Sequence, residues 1–77
     1  MKCILDSEIR RSKKKGKRSL FVVYNDSTSE TLFEDALSIK DADYLKIKCL
    51  GLTKADTIDL RYMLTGQFVI TWGTYEN

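Results

Sequence analysis

The sequence predicts a small, mainly β domain: an antiparallel barrel or strongly curved sheet of about six strands. Three observations carry that expectation. Apolar residues recur with period two in most segments, those segments follow one another at about ten-residue spacing, and turn residues separate them. Proline is absent, so punctuation falls to four glycines, Gly16, Gly51, Gly66 and Gly73, and to the cluster Asn25-Asp26-Ser27-Thr28-Ser29. Closing such a sheet also removes its exposed edges.

The first strand places Cys3, Leu5 and Ile9 on one face, with Lys2, Asp6, Glu8 and Arg10 opposite. The second, Leu20-Phe21-Val22-Val23-Tyr24, is β-branched or aromatic on both faces, which suits a central strand. Between them the chain reads as a hairpin with its tip at Lys14-Lys15-Gly16-Lys17. Residues 30–40 admit two readings. As a strand, Phe33, Leu37 and Ile39 share a face, and Asp35 must escape through a bulge or an edge position. As a helix over about 29–39, Leu32/Ala36 and Phe33/Leu37 pair at i,i+4 behind a Ser27-x-x-Glu30 capping box, and the fold becomes α+β. The strand is the leading choice.

Leu45-Lys46-Ile47-Lys48-Cys49 has the cleanest alternation in the chain and predicts a strand over 44–50, closed by Gly51. A further strand over 57–62 turns Ile58, Leu60 and Tyr62 inward, with a helix over 54–64 capped by Thr53 as its alternative. After a tight connection at 63–66, Phe68, Ile70 and Trp72 line the inner face of a last strand over 67–72. In size and strand rhythm, with its long first hairpin, the pattern resembles an SH3-like small barrel.

Seventy-seven residues make a single domain, 1–77, near the lower limit for a self-sufficient core. The 43% hydrophobic and 31% charged content describes a globular chain. No apolar run approaches the roughly 20 residues of a membrane span. The opening Met1-Lys2-Cys3-Ile4-Leu5 turns acidic at Asp6 before any signal-peptide core can form. The expectation is a cytoplasmic protein without membrane contact, its two cysteines, Cys3 and Cys49, free thiols among apolar neighbours.

Histidine is absent. That removes His-assisted nucleophilic dyads, imidazole metal sites and a pH switch near neutrality. The remaining acidic pairs, such as Asp41-x-Asp43 and Asp56-x-x-Asp59, lack the spacing of a calcium loop and suit solvated loops and caps. No catalytic group, metal or cofactor is expected.

Charge provides the functional lead. Arg10, Arg11, Lys13, Lys14, Lys15, Lys17 and Arg18 hold seven of the thirteen basic side chains. The remaining six Lys and Arg face eleven Asp and Glu, so the rest of the chain carries −5 against +7 here. A positive β-ribbon suits phosphates, releasing their counterions, and can enter a major groove. Its lack of aromatics argues against base stacking. The bland alternative is a hairpin tip kept charged for solubility. The resulting expectation is a non-enzymatic binding protein that contacts nucleic acid through residues 10–18. The competing expectation is a protein–protein interaction module or small regulator or inhibitor of phage or mobile-element origin, docking on an acidic protein surface. Among the aromatics, Tyr62 and Trp72 suit a core, whereas Tyr75 beyond Gly73 suits partner contact. The opposed charges also suit homo-oligomer formation.

Overall fold

The computed structural model of the chain describes residues 1–65. Three antiparallel strands, β1 (Ile4–Arg11), β2 (Lys17–Tyr24) and β3 (Ser29–Ser38), precede two helices, α1 (Ile39–Lys48) and α2 (Lys54–Thr65). The sheet order is β1-β2-β3, with β2 central. The described residues therefore form an open α+β fold and not a closed six-stranded barrel. The strand expected over 67–72 and the contact residue Tyr75 lie outside the described residues.

The hairpin forms where the sequence places it. Ile9 faces Leu20, Arg10 faces Ser19 and Arg11 faces Arg18 across β1 and β2. At the tip, the Lys17 N–H donates to the Lys14 carbonyl at 3.1 Å, with Gly16 at φ 77° in the third position of the turn. Glycine adopts that left-handed conformation without the cost a side chain incurs. Leu20, Val22 and Tyr24 point from β2 into the core, while Phe21 and Val23 are half-buried on the other face.

Two irregularities reassign faces that strict alternation predicts. A shift between Ile4 and Asp6 puts Ile4 in the core and leaves Leu5 66% exposed, whereas Ile9 keeps the core side expected of it. On β3 the pairing jumps from Leu20↔Leu32 to Arg18↔Leu37, so Ser19 alone stands opposite residues 33–36. Phe33 and Asp35 take φ 55° within this bulge, and the Ser19 hydroxyl accepts the Asp35 N–H at 2.8 Å. Of the expected inward set, Leu37 is buried, Phe33 is half-buried against the core and Ile39 is exposed, while Leu32 joins the core. Residues 29–38 are strand, which excludes the helix over 29–39, and Asp35 escapes through a bulge as anticipated.

The strand expected over 44–50 is instead the second half of α1 and the turn that follows it at 49–50. Ala42, Leu45 and Cys49 are fully buried at helical spacing, whereas Ile47, whose position created the apparent alternation, is 68% exposed. The Ser38 hydroxyl caps α1 by accepting the Asp41 N–H at 3.1 Å, and Lys46 and Lys48 sit favourably in its last turn. Ser27 and Glu30, assigned to a capping box by the helical alternative, belong to a turn and a strand.

The strand expected over 57–62 is likewise helical. Thr53 caps α2 by accepting the Asp56 N–H at 3.1 Å, and the buried Thr57 hydroxyl donates to the Thr53 carbonyl at 3.0 Å. Tyr62 is exposed rather than inward. Both helices follow the sheet in the chain, and α1 meets all three strands. Its end is tied to β1 through the Gly51 N–H, which donates to the Ile4 carbonyl, and through the Ile4 N–H, which donates to Leu52.

Candidate functional site

The basic residues separate into two sets when placed on this frame. Residues directly opposite one another in a ladder share a sheet face, so Arg11 and Arg18 lie on the same side as Ile9 and Leu20. Arg10 lies on the other side with Glu8 and Phe21. There its Nε donates to Glu8 Oε1 at 3.0 Å, and its guanidinium stands 3.8 Å from the Phe21 ring centre. Its charge is matched, and it leaves the cluster that the sequence suggested.

The other six cations have no ion pair among the described residues. Arg11, Lys13, Lys14, Lys15 and Lys17 are exposed; Arg18 is half-buried and donates to the Lys17 carbonyl at 2.7 Å. Arg11, Lys14, Lys15 and Arg18 converge with Ser12 and Gly16 around a shallow depression of about 260 Å³. Among the described residues no carboxylate lines it. Lys13 and Lys17 lie outside that lining but on the same tip.

Ser12 is a site residue that charge counting misses. Its hydroxyl accepts the Lys14 N–H at 2.9 Å and orders the approach to the turn. The available signal is a hydroxyl residue just before a Gly-containing turn, where Ser binds nearby backbone. The arrangement has an electrostatic cost, since like charges directly opposite in a ladder repel. An anion in the depression would relieve that repulsion.

A second depression of about 250 Å³ is lined by Lys2, Tyr24, Glu30, Thr53, Lys54 and Ala55. The Tyr24 hydroxyl donates to Glu30, and Lys54 Nζ lies 3.0 Å from the same carboxylate. Burial, followed by the bond to Glu30, pushes the Tyr24 hydroxyl far above its ordinary range. The Tyr24 hydrogen bond and then Lys54 hold the Glu30 carboxyl below its usual value. With its acid and base ends already matched, this trio clamps β2, β3 and α2 together.

Burial raises the Cys49 thiol, which opposes the thiolate that a nucleophile needs. Both cysteines are free, Cys49 buried and Cys3 half-buried. Among the described residues there is no group of three or more His, Cys, Asp or Glu placed to hold a metal ion. No described helix is long and apolar enough to cross a membrane.

Fold and site together define a small α+β chain carrying a cationic hairpin. Comparison with family models, with curated proteins and with solved structures found no match.

Proposed function

We propose that this chain is a non-enzymatic binding protein that grips nucleic acid by its phosphates, using the tip of the β1–β2 hairpin. The observation that supports this most is the depression lined by Arg11, Lys14, Lys15 and Arg18 with no carboxylate among its described lining residues. Lys and Arg hold phosphate by charge and hydrogen bonds without reading bases, so affinity is largely independent of sequence. The hairpin tip is narrow enough for a major groove. Arg11 and Arg18 are the expected bidentate phosphate contacts, and the lysines are the expected point charges.

Titration of a fluorescent duplex with the wild type and with a K13A/K14A/K15A/K17A variant tests the proposal. The expected result is salt-sensitive binding that the variant largely loses. Equal binding by both proteins would refute the assignment to the tip. Binding of an acidic protein surface without duplex binding would place the function in the competing class.

A further inference from the structure

We propose that the free edge of β1 pairs antiparallel with the same edge of a second copy of this chain, with Ile9 on the two-fold axis. Among the described residues β1 is an outer strand of the sheet. The orientation of its backbone follows from its neighbour. The Tyr24 N–H donates to the Thr28 carbonyl, so Tyr24 and alternate residues before it turn their backbone groups towards β3. Val23, Phe21 and Ser19 therefore turn theirs towards β1, where they meet Asp6, Glu8 and Arg10. By the same alternation Ser7, Ile9 and Arg11 aim their N–H and C=O groups out of the sheet. At the start of the strand the outward groups of Ile4 are already taken by Gly51 and Leu52. The Ser7 N–H is held locally by Asp6 Oδ1 at 2.9 Å, a contact that pairing releases. Among the described residues the edge is thus open from Ser7 to the hairpin.

Charge selects both the occupant and the register. β1 is acidic in its first half, with Asp6 and Glu8, and basic in its second, with Arg10 and Arg11. Antiparallel alignment of two copies brings opposite charges together. Because only alternate residues point outward, the register can move only in steps of two. With Ile9 facing Ile9 of the second copy, Glu8 faces Arg10 of the second copy on both sides of the axis. One step in either direction places Glu8 opposite Glu8, or Arg10 opposite Arg10, and such pairs repel. The axial contact is apolar, since Ile9 is half-buried against the core and sits beside its own copy. The product is a continuous sheet running β3-β2-β1-β1-β2-β3.

The pairing points the two hairpins in opposite directions. Each tip lies about five residues beyond Ile9, roughly 17 Å along the strand, so the tips stand about 35 Å apart. That is close to one turn of duplex. This use of the dimer rests on the proposed nucleic-acid binding; the pairing itself does not.

Light scattering and sedimentation of the full chain without nucleic acid test the pairing, with circular dichroism confirming that every variant is folded. Wild type is expected to dimerise as concentration rises. Glu8→Arg or Arg10→Glu alone should weaken association at least about tenfold, because both opposite-charge pairs become like-charge pairs. Mixing the two variants should restore it, since each substituted position then faces the opposite charge. The proposal is overturned by a wild type that stays monomeric, by single variants that associate as well as wild type, or by a mixture that fails to recover. A monomer whose Ile9 and Arg11 amides are protected from exchange would assign the edge to another occupant and would equally overturn it.

Discussion

The division of the basic residues leads to a quantitative expectation for salt dependence. Each phosphate neutralised on duplex DNA contributes about −0.9 to the slope of log K against log salt. Seven cations counted from sequence would give about −6. The structure lowers the count, because Arg10 is engaged by Glu8 at 3.0 Å and by the face of Phe21. Six available cations give a slope near −5, and affinity should fall about a thousandfold between about 50 and 200 mM salt. Replacing Lys13, Lys14, Lys15 and Lys17 by Ala leaves Arg11 and Arg18, and the slope should shrink to about −2. Arg11→Ala should reduce its magnitude by about one, whereas Arg10→Ala should leave it unchanged. The assay is fluorescence anisotropy over a salt series with a duplex of about ten base pairs, too short for two tips to share. If Arg10→Ala lowers the slope as much as Arg11→Ala, the assignment of Arg10 to the opposite face is wrong. If the fourfold lysine variant keeps the full slope, the tip is not the binding element.

Three further expectations concern stability and reactivity. Glu30 has a folded pKa below its ordinary value of 4.5, so its contribution is complete above that value and is lost as pH falls through the lowered one. Glu30→Gln should therefore lower stability by about 1 kcal/mol at pH 7 in urea denaturation, with the gap narrowing in acid; a gap independent of pH would contradict the Tyr24–Glu30–Lys54 clamp. Cys49 is fully buried with a raised pKa, so thiol labelling should modify Cys3 quickly and Cys49 only as the protein opens; two fast thiols would place Cys49 at the surface. Gly16→Ala should cost about 1 kcal/mol in thermal denaturation purely through its φ of 77°, because an added Cβ meets no atom within 4 Å; no loss would mean that the tip readily adopts a different turn.

What was legible in the sequence is what local chemistry decides. The hairpin follows from a Gly-containing turn between two β-rich segments, and the bulge at Asp35 follows from a charge that regular alternation would bury. Alternation in 44–50 and 57–62 does not exclude a helix: Leu45 and Cys49 stand four apart, as do Leu60 and Leu64, and one residue of each alternating set is left outside. Ile47 plays that part in α1 and Tyr62 in α2. The decisive local signals were the caps: Ser38 with Asp41 and Thr53 with Asp56. The cap at Thr53 supported the helical alternative for the second segment. At Ser38 the same signal is obscured because the preceding residues 29–37 themselves carry helical i,i+4 pairs. The face reversal at Ile4 and Leu5 was not legible, because it depends on a bulge and on the loop at Gly51 and Leu52 covering the end of β1. Within the site, the positions of the cations were legible but their pairing was not. The alternation of β1 sets Arg10 with Glu8 opposite Ile9, but its seat over Phe21 depends on the cross-strand register.

Solubility alone is a weak account of the hairpin tip. Charges spread anywhere on a surface keep a small domain soluble, and interspersing the two signs avoids repulsion. Here, beyond the Ile9–Leu20 rung, the ladder continues with Arg10 opposite Ser19 and then with Arg11 opposite Arg18. The last rung places like charge against like charge at the end of the hairpin. The tip nevertheless has a defined shape: Gly16 takes the left-handed conformation, Lys17 closes the turn on Lys14, and Ser12 holds the Lys14 amide. Local bonds thus hold a self-repelling cluster in a fixed geometry. Such a segment detracts from stability in the isolated chain and would regain it if an anion neutralised the cluster, as the proposed phosphate contact requires.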